Sequence, residues 1–218
     1  MFRFGSIIII VLLSFIGGYL YSGDGSSEFK NFPKLTGDYL GQKQPGRIPQ
    51  LFARGIISTD AHEGCSGWGN QMEYFIFQRR GSHPSRLYIM IRDSNDVWSS
   101  PIQLPFGEKY KVGDFTIGPD GKTMVFASKR FIPAIGSDGE GANIWITKKE
   151  GNGWTKPKPV EGPINTKYHD SYPALASNGN LYFFSRKPGG FGKSDLYLSE
   201  FRGGAYQQPV NLGKQLNT

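Results

Sequence analysis

One pattern occurs three times in this chain and constrains its fold more than any other feature. An apolar strand is followed some residues later by an aromatic, two further residues and a proline. Leu87-Tyr88-Ile89-Met90 precedes Trp98-Ser99-Ser100-Pro101, Ile144-Trp145-Ile146-Thr147 precedes Trp154-Thr155-Lys156-Pro157, and Leu196-Tyr197-Leu198-Ser199 precedes Tyr206-Gln207-Gln208-Pro209. The prolines lie 56 and 52 residues apart. Upstream of each pair comes a second apolar run, Tyr74 to Phe77, Thr123 to Ser128 and Leu181 to Ser185. Asp120-Gly121 and Asn178-Gly179 lead into the last two, and these dipeptides tolerate positive φ and favour two-residue hairpins. In the first unit the turn, around Asn70-Gln71, has lost that signature. Further short strands, Asp114 to Ile117 and Ser171 to Leu175, precede the second and third turns.

Each unit thus holds about four short antiparallel strands, and four strands recurring at such a period are the signature of a propeller blade. A β-sandwich of about seven strands is the competing architecture, but its strands do not repeat their sequence at fixed spacing. The expected fold is therefore all-β, a β-propeller of four-stranded antiparallel blades. The blades are expected at about 62–113, 114–166 and 167–218. The aromatic before each proline is expected on the outermost strand, where proline is tolerated because the free side needs no donor. Composition agrees. The chain has 30 glycines and 14 prolines in 218 residues, with 14% aromatics, which excludes both a helical bundle and a disordered chain.

Residues 1–23 decide the expected compartment. Arg3 is followed by an apolar run from Ile7 to Ile16 broken only by Ser14, then by Gly17-Gly18 and a polar stretch from Ser22. This reads as an export signal or an uncleaved N-terminal anchor. The run from Ile7 to Tyr21, about 15 residues, is shorter than the ~20 that cross a bilayer. No cysteine follows it, so it is not a lipoprotein leader. The expected location is periplasmic or extracellular. Residues 24–61 form a lead-in that could add a closing strand. Cys65 is the sole cysteine, which excludes an internal disulfide or a cysteine-rich zinc site.

The segments Pro119 to Ser128, Ser185 to Ser199 and Tyr206 to Gly213 resemble the repeats of TolB-like, WD-repeat-like β-propellers of bacterial envelopes. The lead-in segments Tyr39 to Gly46 and Ala53 to Ser58 are similar to those before the first blade of secreted members. The resemblance covers roughly residues 38–218. It implies a propeller that serves as a binding platform or as a non-catalytic domain attached to a hydrolase. Three units of about 52 residues fall short of the four blades a closed ring needs. Gly213 to Thr218 also matches Gly162 to Thr166, which in the second unit runs into the next blade. The expectation is an incomplete ring, either a portion of a longer protein or one whose open edges self-associate.

No catalytic constellation emerges. Gly64-Cys65-Ser66-Gly67-Trp68 approaches a nucleophile elbow but has Trp68 in place of the final glycine and no helix after it. It is expected to be a glycine-rich turn, with Cys65 a spectator beside His62. His62, His83 and His169 lack the spacing of a zinc site. The loop at Asp138-Gly139-Glu140 lacks the alternating carboxylates of a calcium loop. No cofactor or metal is expected. Trp98, Trp154 and Tyr206 could form a sugar-stacking row, but their place beside proline favours packing.

The net charge is +7, without the Lys/Arg blocks of a nucleic-acid arm. One column concentrates charge. Alignment on Phe77, Phe126 and Phe183 places Arg80, Lys129 and Arg186 at equivalent positions, followed by Gly81, Arg130 and Lys187. If blades are related by rotation, Arg80, Lys129, Arg130, Arg186 and Lys187 form a basic arc that attracts an anionic ligand. Alternatively they pair with Asp114, Asp170 or Asp195 and staple blade to blade. The function expected is an exported, non-enzymatic module that binds a protein or an anionic envelope polymer. The alternatives are the propeller portion of a prolyl-oligopeptidase-like hydrolase, or a glycan-acting propeller.

Overall fold

The structure is a computed structural model. It describes residues 29, 31–80, 85–105, 111–136 and 141–218, and the backbone of 18–20. His83 and the loop at Asp138 to Glu140 lie outside the described residues, as does the leader apart from β1 (Gly18–Leu20). No helix among the described residues is long and apolar enough to cross a membrane.

The described chain is all-β and its sheets are antiparallel. Sheet one runs in order through β2 (His62–Trp68), β3 (Tyr74–Arg80), β4 (Arg86–Ile91) and β5 (Ile102–Gln103). Sheet two has the same path through β6 (Val112–Ile117), β7 (Thr123–Ser128) and β8 (Asn143–Glu150). There β8 continues into a hairpin with β9 (Gly153–Thr155), to which β1 adds, while β10 (Lys158–Pro159) pairs with β8 as the fourth strand. Sheet three uses β11 (Asp170–Leu175), β12 (Leu181–Ser185) and β13 (Asp195–Ser199). A separate hairpin, β14 (Phe201–Arg202) with β15 (Ala205–Tyr206), interrupts before β16 (Val210–Asn211) completes it.

Strand register reproduces the column alignment. Phe77, Phe126 and Phe183 lie opposite Tyr88, Trp145 and Tyr197 respectively. Each first strand is also bulged, between Glu63 and Ser66, Gly113 and Thr116, and Ser171 and Ala174.

Alternation of side chains explains the layering, since successive residues face opposite sides of a sheet. On one side of sheet one, Tyr74, Ile76, Leu87 and Ile89 pack against Met124, Phe126 and Trp145 of sheet two. On the far side of sheet two, Ile144 and Ile146 meet Leu181, Phe183 and Tyr197 of sheet three. The corresponding outer side of sheet three, with Tyr182, Phe184, Leu196 and Leu198, is half-buried and receives no sheet among the described residues. The other side of sheet one, with Phe75, Phe77, Tyr88 and Met90, is covered by the lead-in through Leu40, Phe52 and Ile57. The described lead-in therefore caps sheet one and adds only an isolated bridge, Thr36 to Val97.

Several local expectations differ from what is found. Gly64 to Trp68 is not a turn but the body of β2. Its glycines reflect close approach: a Cβ at Gly67 would stand 2.9 Å from Ile117 Cγ1 of the neighbouring sheet. The Asp120-Gly121 connection is longer than two residues, because Gly118 N–H closes onto Thr123 O at 2.7 Å. The Asp120 carboxylate accepts the Lys122 and Thr123 amides within it. Nor do the aromatics sit on the fourth strands. Trp154 and Tyr206 lie on β9 and β15, ahead of them.

Candidate functional site

The second strand of each sheet ends at one common end of the molecule, and there the basic column divides into two groups. Arg80, Lys129 and Arg186 each follow the aligned phenylalanine by three residues and are exposed. Each stands near the residue that opens, or immediately precedes, the preceding strand. His62 pairs with Arg80 in register, Arg186 N–H donates to His169 O at 3.0 Å, and Lys111 stands next to Val112, the partner of Ser128, which precedes Lys129. Sequence inspection named the second-strand cations but missed Lys111 and His169 as their neighbours, although the same alignment contains them.

Two groups join these cations across sheet boundaries. Asp114 occupies the β6 bulge with φ 49, and its Oδ1 lies 3.9 Å from Arg80 Nη2 of sheet one. Burial pushes the Asp114 carboxyl above its ordinary value, opposed by the charges of Arg80, His169 and Lys111. His169 immediately precedes β11 of sheet three, and its Nδ1 accepts the N–H of Ala142, which immediately precedes β8 of sheet two, at 3.1 Å. Burial lowers its pKa, Arg186 and Lys129 push the same way, and Asp114 opposes them. Among the described residues no carboxylate lies within ion-pair distance of Lys129 or Arg186.

Arg130 and Lys187 are used differently. The Arg130 guanidinium lies 5.3 Å from the centre of the Trp145 ring and 5.9 Å from that of Phe126. Lys187 Nζ lies 4.0 Å from the centre of the Tyr197 ring. Trp145 and Tyr197 are equivalent positions, so the two cations cover the same aromatic site in successive sheets, a contact favoured by the ring quadrupole. Burial lowers the Lys187 pKa, with Asp170 opposing.

The carboxylates named as staples are mostly engaged by neutral groups. Asp170 accepts the Thr166 amide at 2.6 Å, the Thr166 hydroxyl at 2.9 Å and the Ser185 hydroxyl at 2.6 Å. Asp195 accepts the Phe191 and Gly192 amides and Asn211 Nδ2. Among the described residues only Arg80 with Asp114 forms a sheet-to-sheet ion pair of the expected kind.

Cys65 is a half-buried free thiol packed against the core between sheets one and two. Trp98 and Trp154 are buried at 3% and 1% exposure, which removes them from any solvent-facing row. Their indoles pack instead, Trp154 edge-on to Tyr74 at 5.8 Å and Trp98 donating to Gly37 O at 2.8 Å. Among the described residues no cluster of three or more His, Cys, Asp or Glu could hold a metal.

Fold and site together define an all-β protein of antiparallel sheets with cations concentrated at one end. No protein-family model and no curated protein matches this sequence.

Proposed function

We propose that the three sheets are successive blades of a β-propeller, and that the chain is an exported, non-enzymatic module binding an anionic partner at its basic end. The partner class is an envelope polymer or the acidic surface of a protein. The shared strand order supports the blade reading, as does the contact of first strand with first strand. Gly67 of β2 abuts Ile117 of β6, and Thr116 of β6 donates its hydroxyl to Pro173 O of β11 at 2.8 Å. Strands in those positions line the axis of a propeller, so groups at their ends gather on one face.

The observation that carries the binding reading is the convergence of Arg80, Lys129 and Arg186 from three sheets onto Asp114 and His169, with no carboxylate among the described residues paired to the last two cations. Charge of one sign gathered at one end attracts counter-ions and anionic ligands. Affinity for an acidic polysaccharide should fall as salt rises, because exposed charges are screened over a Debye length of about 8 Å at physiological ionic strength. The variant carrying R80Q, K129Q and R186Q should lose that affinity yet keep a cooperative thermal transition, lowered by no more than the ~1 kcal/mol of the half-exposed Arg80–Asp114 pair. Replacement of Arg130 and Lys187 by Gln should do the reverse. Salt-independent binding, or a triple variant that binds as the wild type does, overturns the reading.

A further inference from the structure

The boundary between sheets two and three can be laid residue by residue on the boundary between sheets one and two. Strand register makes Tyr74 equivalent to Thr123, Ile91 to Lys148 and Ile102 to Lys158. Trp154 and Tyr206 hold the same place in the two outer hairpins, opposite Lys149 and Phe201. At the first boundary all four positions are apolar or aromatic and fill the space. Tyr74 and Trp154 are fully buried and edge-on at 5.8 Å, and the Tyr74 hydroxyl donates to Gly121 O of the next sheet at 2.7 Å. Ile91 and Ile102 pack on the same cluster.

At the second boundary each of the four is smaller or charged. Thr123 has no ring and turns its hydroxyl back to Asp120 of its own turn at 2.6 Å. Tyr206 brings one ring where Trp154 brings two, and Lys148 and Lys158 stand in place of isoleucines. Two adjoining open cavities of ≈ 280 and ≈ 460 Å³ occupy the space, and Ile146, Lys148, Phe201 and Tyr206 line both. They lie where the second strands begin, away from the basic end at which those strands finish. One wall is sheet two and the other is sheet three with its hairpin. The aromatic of each unit packs on what precedes its sheet: Trp98 on the lead-in, Trp154 on sheet one, Tyr206 on the core shared with sheet two. The opening therefore belongs to this internal boundary and not to the outer side of sheet three.

The lining combines an apolar floor with few polar groups, the ordinary make-up of a small-molecule site. Ile146 forms the floor, joined in the larger cavity by buried Val160. Phe201 is 41% exposed and stands across from Tyr206 at 5.0 Å between ring centroids. Lys158 is held by Glu161 at 2.7 Å. Lys148 has no carboxylate within ion-pair distance among the described residues, although Asp120 is near enough to feel its charge. The Tyr206 hydroxyl makes no hydrogen bond to a described residue, which leaves it a free donor.

We propose that this inter-sheet cavity binds a small aromatic carboxylate, its ring on Ile146 beside Phe201 and Tyr206 and its carboxylate on the Lys148 ammonium. The ring takes the space that Tyr74 and the larger indole fill at the first boundary, and it meets the two aromatic walls in the offset or edge-on contacts such rings prefer. The carboxylate finds a cation where the first boundary has an isoleucine, in a charge-assisted hydrogen bond. The site stands apart from the basic end and does not rest on its reading.

Titration of the full chain by NMR with indole-3-acetate and with neutral indole-3-acetamide tests it. The acid should bind better than the amide, with nuclear Overhauser contacts from the indole protons to the Ile146 and Val160 methyls. Lys148→Gln should weaken the acid by about 5-fold, towards the amide, and leave the amide unchanged. Tyr206→Trp combined with Lys158→Ile restores residues that the first boundary already packs, and it should abolish binding of both without lowering Tm. Should that variant fail to fold, Lys148→Gln and the methyl contacts still decide. Absence of binding, equal binding of acid and amide with an unaffected K148Q, or contacts to other methyls overturns the proposal, as does binding that survives in the folded, filled variant.

Discussion

The sharpest test of the sheet architecture is the removal of one amide, Asn165→Ala. Asn165 lies in the link between sheets two and three, yet its side chain brackets the third strand of sheet two. Its Oδ1 accepts the Ile144 N–H at 2.6 Å, and its Nδ2 donates to Ile144 O at 2.9 Å. Ile144 is fully buried, so truncation strands its N–H away from water. Two hydrogen bonds at about 1 kcal/mol each, plus about 1–3 kcal/mol for a buried donor left unmade, give a loss of roughly 3–5 kcal/mol. For a domain of this size a loss of 1 kcal/mol lowers Tm by about 2–4 °C, so the transition should fall by at least about 6 °C. Asn165→Asp should cost less near neutral pH, because the carboxylate still accepts from Ile144 N–H and loses only the donor. Asn217 brackets Leu196 of sheet three in the same way, at 2.7 and 3.1 Å, and Asn217→Ala should cost a similar amount. Urea titration with unchanged slope measures both. If Asn165→Ala shifts stability by less than about 0.5 kcal/mol, the range of ordinary surface substitutions, the bracket does not hold the strand.

Three further outcomes follow from the packing. Because burial holds the His169 imidazole below its ordinary range, the unfolded chain binds more protons, so stability should decline as pH falls through about 6.5 towards the folded pKa. His169→Gln should flatten that slope in a pH series of melting curves, and an unchanged slope refutes the assignment. Arg130→Gln and Lys187→Gln should each lower stability by about 0.5–2 kcal/mol through loss of the contact with Trp145 or Tyr197, with no change in anion affinity. The half-buried outer side of sheet three, flanked by exposed Tyr172 and Val210, should drive self-association at high concentration, since large apolar patches do. Leu198→Glu should reduce it, and light scattering that finds the wild-type chain a monomer at all concentrations contradicts the expectation.

Strands and their grouping were legible because alternating apolar runs and turn dipeptides report period two directly. The match of Gly162 to Thr166 with Gly213 to Thr218 was legible too, and its physical content is the Asn165 and Asn217 brackets. Bulges were not, because the residues that occupy them, Asp114 and Tyr172, carry no preference for positive φ strong enough to read from one sequence. Glycine misled at Gly64 and Gly67, where it serves close approach and not a turn. The lead-in gave no periodic signal, since Leu40, Phe52 and Ile57 reach sheet one from irregular backbone. Column alignment located the cations but not the direction of their side chains, and therefore could not separate Arg80, Lys129 and Arg186 from Arg130 and Lys187.

That separation bears on why the charge is there at all. Like charges gathered at one end repel, and a fold that used them only for cohesion would give each a partner. Arg130 and Lys187 have theirs in aromatic rings, and Arg80 has Asp114. Among the described residues Lys129 and Arg186 have no carboxylate partner, and both bear on His169, whose pKa burial depresses and their charges depress further. Asp114 cannot neutralise them all: it is one carboxylate, half-buried and itself pushed towards the neutral form. If the end binds an anion as proposed, the cations left without a carboxylate among the described residues are the ones on which it would gain most, since it meets a donor that no described carboxylate has already satisfied. At Arg186 the gain is largest, because Ser194 holds the guanidinium in place before any ligand arrives and less side-chain freedom is lost on binding.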